Sequence, residues 1–289
     1  MQIVCPDRDT QARALAGWDP AAEKGRVSSY WARLVIEEEA TSSQYDRLRA
    51  RPLTGASEQP EAWVALRGRG FHGQRRRPWQ AVRGNLHLSV SVPLDLPAGP
   101  DSLAWTMLPA VAVMGALRAL ASCPEPDLGI KWVNDILHRG AKVGGVLSSV
   151  VQDGERLRRG HLGIGLNIEA APPLPPGGDA IATGCLARWL SPDQRAHGRV
   201  LGVLLGALAA NIDLLEQGRG GRIVQAYRAD SLVVGRRVRV LDDPLAGPAR
   251  ELCRGRVLAV NKDLSLTLDG QREPVRAGRV FMLEDSLTS

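Results

Sequence analysis

Leu128-Gly129-Ile130-Lys131-Trp132-Val133-Asn134-Asp135 sets a short apolar approach against a lysine, a tryptophan and an Asn-Asp pair. Downstream stand Lys142-Val143-Gly144-Gly145-Val146-Leu147 and Gly163-Ile164-Gly165-Leu166-Asn167-Ile168. Each block reads as a buried strand, and Lys, Asn and Asp are rarely buried without a partner. A lysine on a strand edge, among glycines that bare the backbone, suits an anionic ligand such as a phosphate or carboxylate. For one isolated pair a surface lysine at a strand end is the plainer reading; three blocks in this order argue against it.

Working outward, the pattern predicts strands over 31–37, 63–66, 86–92, 128–133, 142–151 and 161–168, with Pro93 ending the third and a turn at Arg139-Gly140. A helix is expected over 41–51, its start capped by Thr41-Ser42-Ser43, and longer ones over 103–121, with Pro109 as a kink or early-turn residue, and 199–217. The Pro/Gly-rich stretch 171–179 reads as a loop. Helices among the strands point to an α/β or α+β sheet covered by helices, expected here as α+β with a mixed sheet. After Asp230 the periods shorten to strands at 238–241, 253–260, 264–268, 273–276 and 279–283, which predicts a small barrel; a β tail on the main sheet is the alternative. The expected units are an N-terminal extension 1–30, a main domain 31–230 and a β module 231–289.

The 289 residues suffice for one large and one small domain. Aromatics are only 4%, so the core rests on Leu, Val, Ala and Ile. The net charge of +6 fits nucleic acid, an acidic protein or a nucleotide substrate and does not choose among them. Cys5, Cys123, Cys185 and Cys253 are scattered, without C-x-x-C spacing or grouped histidines, which argues for reduced thiols over disulfides or zinc. The start carries no secretory pattern, and the uncharged run 103–117 is shorter than the roughly 18–20 residues of a membrane span. A cytoplasmic protein without membrane partners is expected.

Arg67-Gly68-Arg69-Gly70-Phe71-His72-Gly73-Gln74-Arg75-Arg76-Arg77 follows a strand. Its glycines let N–H groups approach a phosphate, and its arginines offer bidentate partners. A solvated basic turn and a nucleic-acid patch are the rival readings; only Phe71 and Trp79 are nearby aromatics, and nucleic acid is not expected as a partner.

The order of these blocks resembles the biotin protein ligase catalytic domain, with its Lys-Trp-Pro-Asn-Asp, Lys-x-Gly-Gly-Ile-Leu and Gly-Ile-Gly-Leu-Asn strands. The resemblance runs from about residue 34 to 284 and includes Gly84-Asn85-Leu86-His87-Leu88-Ser89, similar to Gly-Asn-Leu-Tyr-Leu-Ser. Val133 stands where the family has proline, a mild change if the backbone there is extended. The resemblance implies a class II synthetase-like catalytic fold with an SH3-like C-terminal domain, lacking an N-terminal DNA-binding domain. It also implies ATP and Mg²⁺ as cofactors, biotin as substrate, and transfer of biotin to a lysine of a carboxylase's biotin-carrier domain. A homodimer is left open.

By the same resemblance Lys131 and Arg69 are the expected catalytic residues, with Asn167 joining them at the nucleotide. Thr41, Ser42, Ser43, Gly68, Gly70, Phe71, Gly73, Trp79, Gly144 and Gly145 are expected to bind substrate. Asn134 and Asp135 are expected to shape a strand end. Aligning the loop by its glycines puts Phe71 and Gln74 at two arginine positions of the family pattern and Ala65 at a glutamine position; Arg75 to Arg77 could restore the cation. A lipoate or octanoate ligase or transferase of the same superfamily, or a non-catalytic adenylate binder, are the rival functions.

Overall fold

The computed structural model describes residues 1–19, 26–52, 58–121, 126–173, 181–242 and 249–283. The main sheet contains β1 (Gln2–Val4), β2 (Arg33–Glu37), β3 (Glu61–Ala65), β4 (Leu86–Pro97), β5 (Leu128–Lys131), β6 (Asp135–His138), β7 (Ala141–Asp153) and β8 (Arg156–Leu166). Their order is β1-β2-β3-β4-β8-β7-β6-β5. The first three strands run parallel, and every later pairing is antiparallel.

One face is apolar. Leu86, Leu88, Val90, Leu162, Ile164 and Leu166 alternate inward from β4 and β8. They meet α4 (Ala104–Leu120) and α5 (His197–Glu216), whose Met107, Leu108, Leu201, Leu204, Leu205 and Leu208 are fully buried. Each such Leu contributes roughly 1.5–3 kcal/mol on burial. By length and composition α5 would cross a membrane, but its apolar side packs as a core helix. α3 (Gln44–Arg49) lies on the opposite face, where its Tyr45 covers Gly163. Ser43, not Thr41, caps it, accepting a hydrogen bond from Asp46 N–H.

Several sequence expectations are corrected. Residues 1–30 supply the edge strand β1, α1 (Arg8–Ala14) and α2 (Arg26–Tyr30), and α2 packs on α5. β4 continues through Pro93, which is tolerated because β3 pairs only as far as Ser91 and leaves that flank of β4 unpaired. The stretch expected as one strand over 128–133 is a hairpin: Lys131 faces Asp135 across β5 and β6, and residues 132–134 turn. Val133 is therefore a turn residue, joined to Trp132 by a cis peptide. The Arg139-Gly140 turn, both residues at positive φ, joins β6 to β7. α6 (Gly220–Ala229) went unread because it opens on two glycines, poor helix formers.

Beyond Asp230, β9 (Arg237–Leu241), β10 (Glu251–Val260), β11 (Leu266–Leu268) and β12 (Arg279–Met282) form an antiparallel sheet in the order β11-β10-β9-β12. This is compatible with the SH3-like expectation, although 273–276 yields only a bridge between Val275 and Leu266 rather than a strand. Most of the loop expected over 171–179, Cys123, and part of the turn after Asp242 fall outside the described residues.

Gly160 shows how tightly α4 sits on the sheet, since a Cβ there would lie 2.1 Å from the Trp105 ring. Gly160→Ala is expected to cost about 1–3 kcal/mol through overpacking. Urea unfolding against the wild type measures the loss.

Candidate active site

The strand register places seven residues in one row across the sheet: Glu37, Ala65, His87, Gly165, Gly145, Asp135 and Lys131. Paired residues share a face, so this row looks away from the α4–α5 core. The adjacent row carries Trp63, Ser89, Gly163 and Leu147. His87, Gly165, Gly145 and Asp135 of the first row and Ser89, Gly163 and Leu147 of the second floor a cavity of about 140 Å³, roofed by Tyr45 from α3 and by Phe71 and Trp79 from the segment between β3 and β4.

The floor glycines have a steric purpose. A Cβ on Gly165 would lie 2.4 Å from the Trp79 ring, and one on Gly163 would lie 3.2 Å from Tyr45. Without them both aromatic rings lie against the backbone. Trp79 is held by its neighbours: its indole N–H donates to His87 Nδ1 at 3.2 Å, and His87 Nε2 lies 3.0 Å from the Val82 carbonyl. That pair of contacts selects the neutral tautomer protonated on Nε2. Burial pulls the His87 pKa down to about 4.

At the other end stands the charge cluster. Asp135 Oδ1 lies 2.5 Å from Lys142 Nζ, and its Oδ2 lies 3.7 Å from Lys131 Nζ. Burial raises the Asp135 pKa, but Lys142 and Lys131 outweigh it and keep the carboxyl below its ordinary range. Burial lowers the pKa of Lys131, with Asp135 opposing. Lys142 also sits over the Trp79 ring, 5.7 Å from its centroid. The turn between the strands is tied down three ways: Asn134 Nδ2 donates to Val146 O, the Tyr227 hydroxyl to Val133 O, and the Trp132 indole to Leu264 O.

Of the residues expected from the sequence, Ser43, Phe71, Gly73, Trp79 and Gly145 line the cavity. Lys131 is buried beside it through Asp135. Thr41 and Ser42 precede the α3 cap without lining the cavity, and Gly70, at φ +68°, packs near Ser42. Gly68 lies beneath the Phe71 ring. Gly144 faces the other way, where a Cβ would meet Leu166, so it is not a cavity residue. Arg69 is 82% exposed and paired with Glu39, away from the cavity, contrary to the expected catalytic placement. Asn167 is buried, its amide donating to Gly184 O and accepting from Asn85. Sequence reasoning missed Tyr45, His87 and Lys142 and preferred a shaping role for Asp135 over a direct ligand role. The missing signal was the hairpin, whose register sets Asp135 between two lysines.

A family model described as the Biotin/lipoate A/B protein ligase family matches residues 39–167. The biotin–[acetyl-CoA-carboxylase] ligase of Mycobacterium tuberculosis is 33% identical over 267 residues, 89% of this chain and 91% of that protein. The chain belongs to the biotin/lipoate protein ligase family. Another such ligase, from Paracoccus denitrificans, is 35% identical over 114 residues, 38% of this chain and 46% of that one. The biotin protein ligase of Aquifex aeolicus, solved in complex with biotin and ATP, shares the fold at a TM-score of 0.61 and 18% identity, covering 88% of this chain and 99% of that one. In this family member no three His, Cys, Asp or Glu side chains converge on a metal-sized space among the described residues.

Two buried histidines on this face make stability depend on pH. His161, two residues before Gly163 on β8, is also pulled down to about 4 by burial, and neither ring nitrogen has a hydrogen-bond partner among the described residues. An unfolded histidine titrates near 6.5, so between about pH 6.5 and 4 the unfolded chain binds more protons. Stability should therefore fall as pH drops through that window, by up to about 3 kcal/mol for each histidine. Urea unfolding from pH 7.5 to 4.5 measures the slope; His161→Phe should flatten it, with His87 and His197, whose pKa burial also lowers, supplying the rest.

Proposed function

We propose that the chain activates biotin with ATP to biotinyl-5'-AMP and passes the biotinyl group to a lysine of a carboxylase's biotin-carrier domain. The observation that carries this reading is the pairing of buried Lys131 and half-buried Lys142 with Asp135 at the end of a glycine-floored, aromatic-roofed cavity. Two ammonium groups against one carboxylate leave one positive charge uncompensated within the cluster. Such a charge in a poorly solvated site attracts an anion far more strongly than it would in water.

The vitamin's carboxylate attacks the α-phosphorus of ATP and pyrophosphate leaves. The acceptor amine then attacks the acyl carbon, forming the amide and releasing AMP. Negative charge grows where carboxylate and phosphate meet, so Lys131 and Lys142 stabilise the transition state more than the separate substrates. Trp79 and Tyr45, seated on Gly165 and Gly163, hold the apolar ring system and exclude water. Asp135 already answers two lysines, so a magnesium ion would be held chiefly by the nucleotide's own phosphates, and no step is assigned to it.

Exchange of labelled pyrophosphate into ATP, run separately with biotin, lipoate and octanoate, tests the reading. Exchange is expected with biotin. Exchange with lipoate or octanoate instead would move the chain to the other branch of the family, and none with any acid would make it a binder. Lys131→Ala should slow adenylate formation by at least about tenfold, equivalent to ~1.4 kcal/mol in the transition state, with folding little changed. A wild-type rate at saturating ATP would refute the role of Lys131.

A further inference from the structure

A second cavity, of about 460 Å³, opens at the end of the sheet where β6 turns into β7. Ala141, Val143 and Cys185 give it an apolar side, and His138, Arg139 and Arg188 a basic one. It shares no lining residue with the glycine-floored cavity. It opens from the helix-covered side of the sheet, where Val143 belongs to the core and Trp189, against His138, packs on it.

The charges here are unanswered. Arg139 and Arg188 are exposed, and neither guanidinium has a hydrogen bond or ion pair among the described residues. By contrast Arg47, Arg67, Arg83, Arg156 and Arg195 each meet a carboxylate. No acidic side chain lines this cavity among the described residues. Two cations in a concave place with apolar walls focus their field on an anion. The buried indole N–H of Trp189 also has no acceptor among the described residues, so this corner of the molecule is short of acceptors.

The walls are fixed without a ligand. Lys142 N–H donates to Ala182 O at 2.7 Å, and Gly184 N–H to Lys142 O at 2.9 Å, which lays the segment carrying Cys185 along β7. His138 is buried against the Trp189 ring, with centroids 3.9 Å apart. Arg139 stands at φ +50° before Gly140 at +75°, a turn that asparagine or glycine makes at lower cost. The arginine does nothing for the turn, and its side chain lines the cavity. Backbone kept in such a region is often found at ligand clamps.

We infer that this cavity is a second anion site, in which Arg139 and Arg188 hold a phosphate group, free or on a small ester whose body lies against Ala141, Val143 and Cys185. The inference is independent of the ligase reading. A guanidinium grips phosphate through two parallel N–H···O bonds, and two such groups converge here without competing carboxylates.

The test is calorimetric titration of the full-length protein with inorganic phosphate and with phenyl phosphate, at constant ionic strength. Arg139→Gln and Arg188→Gln should each weaken binding at least about tenfold, as expected for a lost charge-assisted bond, and the double variant should abolish it. Lys131→Ala, which alters the charge cluster of the other cavity, should leave this binding in place. Arg8→Gln with Arg222→Gln removes the same net charge from exposed positions elsewhere and should change affinity by less than about twofold. Tighter binding of phenyl phosphate than of phosphate would support an ester as the ligand, and equal binding the free anion. Wild-type affinity in the Arg139/Arg188 double variant would overturn the inference. So would an equal loss in the Arg8/Arg222 control, or no saturable binding of either probe to the wild type.

Discussion

Burying like charges side by side is unfavourable unless something opposite lies between them, and Asp135 is that group here. Its carboxylate faces Lys131 across a hairpin and holds Lys142 from the next strand. Removing it would leave two ammonium groups repelling each other in a poorly solvated place. With it present, the cluster is stable enough to fold and still one charge short of neutral. A site built this way is attractive to an anion before any substrate arrives, which is what preorganised electrostatic catalysis requires.

The rest of the site follows from strand register. Because Lys131, Asp135, Gly145, Gly165 and His87 share one row, the distance between the charged end and the aromatic roof is set by the spacing between strands rather than by loop conformation. The glycines give up side-chain packing at the centre of a sheet, a cost normally avoided there, and in exchange let Trp79 and Tyr45 lie on bare backbone. His87, neutral and bonded on both nitrogens, keeps the indole from tilting.

How much of this could be read beforehand depends on the range of the determining contacts. The three polar-and-glycine blocks were legible because buried strands seldom carry such residues, and with them came the sheet, the long helices and the C-terminal β pattern. The Lys131–Asp135 hairpin was not, since its turn contains neither glycine nor proline. Arg69 was misplaced because its direction is decided by Glu39, thirty residues away in sequence. Asn167 is similar: its amide answers Gly184, beyond a stretch that local pattern cannot bridge. The loop's departures at Phe71 and Gln74 were visible from the start, but the chain reversal that follows them depends on positive φ angles at Arg75 and Arg76 that no composition announces.

The bond from the Trp132 indole to Leu264 O joins the lysine hairpin to the small C-terminal sheet. Leu264 presents that carbonyl from a left-handed backbone, φ +63°, which a leucine adopts only under constraint. The tryptophan is buried, so a shift of the small sheet would take this acceptor from its N–H, a costly loss away from water. The β module is thus a brace as much as an appendage: it grips the turn from which Lys131 and Asp135 diverge. A change in the C-terminal fifth of the chain that moves Leu264 therefore reaches the turn that carries Lys131 and Asp135.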